Sequence, residues 1–366
     1  MKRYIFVCLC VIYSVVLWSN TPYISRVYAY QPAPGQFINK MPYATVEDSP
    51  ETMAAKAESA IANNQREIVC LGAWGGYIVF GFDHPVVNSH SDYDLLILGN
   101  AFYKQGYEGE QKGSSEPGIV YVSVDRNGNG LPDDEWYELA GSEYDNPQTV
   151  HNYQVTYYRT PAEHTATPDN SKRFLIDTTY IAWTDNLGNS GYIPKLAPLA
   201  TQSKDYYPLW QGDEVTFSGS LLPPNGEPIA GTYYYLMTCY AYGYADNQPN
   251  DSTSARLKLS WAVDENGQSV DLPYVDFVRV QTGVLQQCAM QGEVSTEVMG
   301  AIDLHPDMQM PTNVGFVRQS EWENTQVYDI YGHNLRTIHT EDEMSLLPKG
   351  FYILNNNYQT TKFIKQ

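Results

Sequence analysis

The stretch Asp125–Trp136 has the residue types and spacing of a calcium-binding loop. It reads Asp-Arg-Asn-Gly-Asn-Gly-Leu-Pro-Asp-Asp-Glu-Trp, and its opening matches the pattern D-x-[DN]-x-[DN]-G. Calcium takes about six to eight oxygen ligands, and side chains at alternate positions of a tight loop can converge on one ion. The expected calcium ligands are Asp125, Asn127, Asn129, the carbonyl of Leu131, and Asp133 or Asp134.

The surroundings of this loop differ from those of an EF-hand. Trp136 stands where an EF-hand has its bidentate Glu, and Tyr121–Val124 before the loop has the pattern of a strand. The stretch is therefore not an EF-hand. Two interpretations remain: an isolated structural calcium loop between strands, which we favour, and a plain Asn-Gly hairpin turn.

A second group of residues has the chemistry of a sugar-binding site. Aromatic rings stack on the apolar face of a sugar, while carboxylate and amide groups bond its hydroxyls. The residues of this type that lie beside loop signals are Trp183, Tyr206, Tyr207, Trp210, Tyr242, Tyr244, Asp246 and Asn247. For any single aromatic among them, packing in the core is the alternative to ligand contact.

Catalytic motifs are absent from the sequence. It has no G-x-S-x-G elbow, no H-E-x-x-H and no phosphate-binding loop, so it predicts no catalytic residue. Two carboxylates can hydrolyse a glycoside without any local motif, and the chain has 42 acidic residues. A polysaccharide hydrolase or lyase therefore stays an alternative to a binding protein.

The N-terminus has the pattern of a secretory signal peptide. Lys2 and Arg3 precede an apolar run, Ile5–Trp18, and Val27–Ala29 has the residues that a signal peptidase reads. The run is shorter than the about 20 residues that cross a membrane. We expect a signal peptide over residues 1–29, cleavage after Ala29, and export to the cell surface, the outer membrane or the extracellular space.

The charge of the expected mature chain restricts its partners. Loss of Lys2, Arg3 and Arg26 with the leader reduces 22 basic residues to 19 against 42 acidic ones, for a net charge of −23. Such a field repels phosphate backbones and anionic lipids, so we expect no nucleic-acid partner. No second apolar stretch reaches membrane length, so we expect no transmembrane span after cleavage.

Hydrophobic periodicity predicts a mainly β protein with one short N-terminal helix, Ser49–Asn63. Short strands separated by Gly, Asn, Asp and Pro follow, among them Tyr77–Phe82, Leu257–Ala262 and Val275–Thr282. This spacing indicates antiparallel pairing in a sandwich or barrel. The expected organisation is a signal peptide (1–29), an extension with the helix (30–66), a β-sandwich binding domain (67–302), a linker (303–311) and a small C-terminal β-sandwich (312–366). Cys70, Cys239 and Cys288 are expected as buried free thiols, with one disulfide left open.

Four segments of the main domain resemble surface proteins with a discoidin-like or galactose-binding-like jelly roll. They are Gly75–Asp83, Asp94–Phe102, Glu116–Val124 and Val275–Val280. The resemblance covers about residues 65–285. It implies a jelly-roll sandwich whose ligand site lies on loops at one end, often beside a structural calcium.

Three segments at the C-terminus resemble the sorting domain of the type IX (Por) secretion system. They are Val327–Gly332, Leu347–Ile353 and Lys362–Lys365, which follow that family's "VYDxxG", "LPxGxY" and basic terminal patterns in order. The resemblance implies a Bacteroidetes origin and recognition by the type IX secretion machinery. Together these features predict an exported, calcium-stabilised surface protein that captures a glycan or other small nutrient, with a structural or adhesive envelope protein as a further alternative.

Overall fold

The computed structural model describes residues 20–198, 202–310, 325–329, 332–339, 343, 347–355 and 360–365. Strands dominate, so the predicted mainly β fold with antiparallel sheets and an N-terminal helix is confirmed. Jelly-roll connectivity stays a prediction. Within the described residues, no helix has the length and apolar character needed to cross a membrane. The expected apolar run of the signal peptide lies outside them.

Two large sheets form the body of the protein, and their strands are numbered here in chain order. The central sheet has, in spatial order, β1 (Arg26–Gln31), β3 (Tyr77–Val87), β17 (Tyr274–Thr282), β7 (Gly118–Ser123), β8 (Trp136–Leu139) and β16 (Ala262–Val263). The second sheet has β11 (Ser190–Leu196), β10 (Leu175–Asp185), β9 (Val150–Tyr158) and β12 (Glu214–Leu221).

Smaller sheets complete the described fold. One joins β13 (Gly226–Pro228), β14 (Tyr235–Thr238), β6 (Lys112–Ser114) and β5 (Phe102–Tyr103). Two others join β15 (Arg256–Leu257), β4 (Leu95–Leu98) and β19 (Gly300–Asp303), and β18 (Glu297–Val298) with β2 (Val69–Cys70). Short 3-10 turns span Glu108–Glu110, Thr253–Ala255, Leu259–Trp261 and Ala289–Gln291.

Helix α1 (Pro50–Ile61) forms where the sequence predicts it. Ser49 caps it by accepting from the Thr52 N–H, and Pro50 occupies the first turn, where its missing N–H costs nothing. The predicted apolar stripe is buried in full: Met53, Ala54, Ala57, Ala60 and Ile61. Its small residues allow the helix to pack closely on the core of the central sheet.

Strand β1 contains the expected cleavage point. Val27, Ala29 and Tyr30 pair with β3 in the central sheet, on both sides of that point. Ile24 lies fully buried in the same core, and its carbonyl accepts from the Asn63 N–H. Residues on both sides of Ala29 are therefore part of the central core, and cleavage there stays a prediction.

The C-terminal block forms a four-stranded antiparallel sheet in the part that is described. Its strands, in spatial order, are β21 (Asn334–Ile338), β20 (Thr325–Tyr328), β22 (Gly350–Asn355) and β23 (Thr360–Lys365). The expected linker, 303–311, begins at the last residue of β19. The three cysteines that follow the expected leader, Cys70, Cys239 and Cys288, are buried with free thiols.

Candidate functional site

A polar groove of about 700 Å³ lies where the central sheet meets the second sheet. Tyr121, Glu138 and Arg279 reach it from the central sheet. The strands β9 and β12 of the second sheet supply further groups, among them His151 and Ser220. Cavities at the junction of two packed layers are common ligand sites, because side chains from both layers converge there.

Arg279, Tyr121 and Glu138 form one row across three neighbouring strands. In the register of the sheet, Arg279 of β17 is opposite Tyr121 of β7, and Tyr121 is opposite Glu138 of β8. Residues directly opposite in antiparallel strands point to the same face. The pairing therefore aligns a cation, a phenol and a carboxyl group along one wall of the groove.

Gly219 allows the second sheet to approach this wall. A Cβ atom at this position would lie 2.7 Å from Gln281 Nε2 and 2.8 Å from the Tyr121 hydroxyl. A side chain at this position would displace the ends of Gln281 and Tyr121, which line the junction. Two bonds close the junction: Gln281 Nε2 donates to the Ser218 carbonyl at 3.1 Å, and the Ser220 N–H donates to the Tyr121 hydroxyl at 3.2 Å.

Glu138, Ser220 and His151 form a hydrogen-bonded chain in the groove. Ser220 Oγ lies 2.6 Å from Glu138 Oε2 and 3.2 Å from His151 Nδ1. His151 Nε2 lies 3.1 Å from the Tyr144 carbonyl. Burial raises the pKa of Glu138 to about 7, although hydrogen bonds from Ser220 and Tyr121 oppose the shift.

Ser220 links the carboxyl group to the imidazole ring. Its hydroxyl donates to Glu138 Oε2, and His151 Nδ1 lies against the same hydroxyl oxygen. His151 Nε2 faces the Tyr144 carbonyl, which can only accept a hydrogen bond. One hydroxyl therefore connects a carboxyl group of the central sheet with a histidine of the second sheet.

Arg279 supplies the positive charge of the groove. Its guanidinium carbon lies 4.1 Å from the ring centre of Tyr77 and 5.4 Å from that of Tyr121, and it also donates to Gln281. Its buried Nε atom has no hydrogen-bond partner among the described residues, and none of their salt bridges includes it. Burial lowers the pKa of Arg279, but an arginine keeps its charge near neutral pH. The cation is thus available to an electron-rich ligand.

Aromatic and amide groups form the rest of the groove wall. Trp136, at the start of β8, and Tyr144 line it with ring surfaces, and both are partly exposed. Asn152, Gln154 and Asn186 also line the groove; all three are exposed residues that carry side-chain amides. The groove therefore combines ring faces with donors and acceptors of both kinds.

The aromatic residues that the sequence indicated do not converge on one exposed platform. Tyr206 and Tyr207 are 1% and 0% exposed in the core of the second sheet, against which Trp183 packs. Trp210 packs against the core of the central sheet, and Tyr244 lies buried in a third cluster. A strand-rich chain buries aromatics wherever two layers meet, and sequence spacing does not reveal which ones.

The remaining predicted ligand residues lie apart from the groove. Tyr242 is 42% exposed, and its ring centre lies 4.9 Å from that of Trp261. Asn247 is fully buried and bonds the backbone of Tyr240 at both its N–H and its carbonyl. Asp246 is also buried and accepts three backbone N–H bonds. Asp246 and Asn247 thus hold loops in place.

The predicted calcium loop connects β7 to β8, with strands on both sides as expected. Asp125 accepts from the N–H groups of Asn129 and Gly130, at 3.1 and 2.8 Å. Asp133 accepts from the amides of Asn127 and Asn129, both at 2.9 Å. The carboxylate oxygens of Asp125 and Asp133 therefore point into the loop, where backbone N–H groups and side-chain amides donate hydrogen bonds to them.

Two more predicted ligands complete this loop. Asp134 Oδ2 accepts from the Arg126 N–H at 3.0 Å, and Leu131 is exposed at the tip. Gly128 and Gly130 have φ values of +70° and +73°, which glycine adopts without strain. Calcium binding by this loop stays a prediction.

Sequence reasoning missed Arg279, Glu138, His151 and Ser220. One signal was available: Arg279 stands between the apolar residues Val278 and Val280, and a charged side chain is rarely buried among apolar neighbours without a partner. Glu138, His151 and Ser220 lie in strands that contain both polar and apolar residues, as half-exposed strands commonly do. Their convergence depends on the pairing of strands that are distant in sequence.

Comparison with known proteins adds no assignment: no family model matches the chain, and no curated protein matches it.

Proposed function

We propose that this protein is an exported binding protein that captures a glycan or another small nutrient molecule in the groove between its two large sheets. One observation carries the proposal: ring faces, amides, four carboxyl groups and an arginine whose Nε has no hydrogen-bond partner among the described residues line the same cavity of about 700 Å³. A sugar presents an apolar C–H face and a rim of hydroxyls, and this lining complements both.

Trp136 and Tyr144 are the expected stacking residues, because each lines the groove with a partly exposed ring. Asn152 and Asn186 are the expected partners of ring hydroxyls. Arg279 favours a ligand that carries a carboxylate or another electron-rich group, since its Nε lacks a protein acceptor.

Calcium and export belong to the same proposal. The loop Asp125–Trp136 ends at the groove residue Trp136, so an ion held there would stabilise the start of β8. The C-terminal strands include parts of the segments that resemble a type IX sorting domain. Recognition by that machinery would place the protein at the cell surface or outside the cell.

A binding screen of the mature protein tests this function. The panel should contain neutral oligosaccharides, uronate-containing oligosaccharides and non-sugar nutrients. We expect saturable binding that Trp136→Ala weakens, while Tyr242→Ala, an exposed aromatic outside the groove, leaves it unchanged. Binding that is insensitive to Trp136→Ala, or no binding across the panel, contradicts the proposal.

A second candidate function is a polysaccharide hydrolase or lyase, and the chain Glu138–Ser220–His151 favours it. A carboxyl group with a pKa of about 7 can donate or accept a proton near neutral pH. Incubation with the bound polysaccharide would then release new reducing or unsaturated ends. Glu138→Gln should abolish that release and retain binding; intact polysaccharide after long incubation rules out this candidate.

A further inference from the structure

Three carboxylates converge away from the groove and away from the predicted calcium loop. Glu116, Asp246 and Glu297 each offer one oxygen, and these oxygens lie within 4.8 Å of one another. Glu116 lies just before β7, Asp246 lies in the loop after β14, and Glu297 begins β18. Three segments far apart in sequence therefore bring like charges together, which costs free energy unless something neutralises them.

Backbone N–H groups hold two of these carboxylates in place. Asp246 Oδ1 accepts from Asn100 and Ala101 at 2.8 and 2.9 Å, and Oδ2 accepts from Glu297 at 2.9 Å. Glu116 Oε1 accepts from Ser295 at 3.1 Å. Asp246 has a φ of +49°, which is uncommon for a residue other than glycine. The fold thus maintains the cluster at a conformational cost.

The third carboxylate has an oxygen without a partner. Glu297 is only 6% exposed, and its buried Oε2 has no hydrogen-bond partner among the described residues. The salt bridges of those residues include neither Glu297 nor Glu116 or Asp246. A buried carboxylate oxygen without a hydrogen-bond donor requires an explanation, and a bound cation is one that also accounts for the three converging carboxylates.

An adjoining cavity gives the cluster access to water and ions. It has a volume of about 360 Å³, and Glu116, Glu297 and Glu293 line it together with Asn100 and Ser295. None of its lining residues is a lysine, an arginine or a histidine. The cavity has room for the water molecules that a hydrated cation keeps when proteins supply only some of its ligands.

We infer that Glu116, Asp246 and Glu297 form a binding site for a hard divalent cation, separate from the loop Asp125–Trp136. Carboxylate oxygens prefer calcium, magnesium or manganese to softer metals. The bound cation would link the segments before β7, after β14 and at the start of β18, which also share backbone hydrogen bonds such as that from the Glu116 N–H to the Asp246 carbonyl at 2.9 Å.

Titration of the chelator-treated full chain with calcium, magnesium and manganese tests the inference. The Asp125→Ala variant removes the contribution of the loop Asp125–Trp136. Isothermal calorimetry of this variant should still detect the binding of one cation per chain. Glu297→Gln in that background should weaken the affinity at least tenfold, because it replaces the unpartnered oxygen at nearly unchanged size. Glu293→Gln is the matched control, since Glu293 lines the same cavity outside the cluster, and it should retain the affinity.

Two results would overturn the inference. One is the absence of binding of all three cations to chelator-treated wild-type protein and to Asp125→Ala. The other is cation binding that neither Glu297→Gln nor Glu116→Gln weakens. Binding by the wild type alone does not decide the question, because the loop Asp125–Trp136 contributes to it; Glu116→Gln in the Asp125→Ala background decides it if Glu297→Gln folds poorly.

Discussion

Ser220 Oγ on the second sheet lies 2.6 Å from Glu138 Oε2 on the central sheet. This bond connects the two layers at the floor of the groove and joins a carboxyl group to His151. Trp74 holds the same segment from the core side, because its Nε1 donates to the Ser220 carbonyl at 3.2 Å. The geometry of the groove is therefore tied to the packing of the two sheets.

The stability of the protein should depend on pH through Glu138. Burial raises its pKa from 4.5 to about 7, so the folded protein binds more protons than the unfolded chain between these values. Its contribution is fully present below about pH 4.5 and is lost as the pH rises through about 7. Because Glu138 is partly exposed, we expect the free energy of unfolding to decrease by about 1–3 kcal/mol over this pH range. Denaturant unfolding at a series of pH values measures this dependence. In Glu138→Gln the free energy of unfolding should vary less with pH between about 4.5 and 7.

The matched control for this experiment is Asp145→Asn. Asp145 lines the same groove but is exposed, so its carboxylate stays in water in both states. This variant should keep the pH dependence of the wild type. An unchanged slope in Glu138→Gln would show that the carboxyl group is ionised in the folded protein over this range.

Ligand binding should depend on the ring of Trp136. Replacement of a central stacking residue by alanine costs about 1–3 kcal/mol of binding free energy, so Trp136→Ala should weaken binding about 5- to 150-fold. Calorimetry or a competition assay with the ligand found in the screen measures this. Equal affinities of Trp136→Ala and the wild type would place the ligand elsewhere.

Tyr244→Ala should affect folding rather than ligand binding. Tyr244 is 1% exposed, its ring packs against Tyr240, and its hydroxyl accepts from the Glu143 N–H at 3.0 Å. Loss of a buried aromatic ring costs about 3–5 kcal/mol of unfolding free energy. Chemical denaturation should report that loss, whereas a selective loss of affinity with normal stability would return Tyr244 to the ligand site.

Calcium should stabilise the loop between β7 and β8. A ligand that binds only the folded state adds about 2.7 kcal/mol to the free energy of unfolding when its free concentration is about a hundred times the dissociation constant. Millimolar calcium should raise the melting temperature after chelation, and Asp125→Ala should reduce the increase. Magnesium should stabilise this loop less, because it requires a stricter octahedral shell. If Asp125→Ala responds to calcium as the wild type does, the loop is a turn without a metal.

The N-terminus of the mature protein should lie upstream of Ile24. Ile24 and Val27 are buried in the central core, and each such side chain contributes about 1.5–3 kcal/mol. Mass spectrometry of the cell-associated protein should therefore detect peptides that include residues 21–29. A mature chain that begins at Tyr30 and is fully stable would contradict the role assigned to the first half of β1.

Local patterns in the sequence were sufficient for the secondary structure of many segments. Ser49, Pro50 and the small apolar stripe specify α1, because capping and periodicity act within a few residues. Alternating apolar residues likewise predicted Tyr77–Phe82 and Val275–Thr282, which form parts of β3 and β17. The predicted strand Leu257–Ala262 is wrong in detail, since a 3-10 turn interrupts it.

The groove and the carboxylate cluster were decided by the tertiary structure. Arg279, Tyr121 and Glu138 share a wall only because β7 pairs with both β17 and β8. The pairing of β7 with β17 joins residues more than a hundred positions apart, and no local pattern encodes its register. For the same reason the burial of Tyr206 could not be read from its neighbours. The sequence alone determined the residue types and the elements that carry them; strand pairing and layer packing determined which of those residues meet.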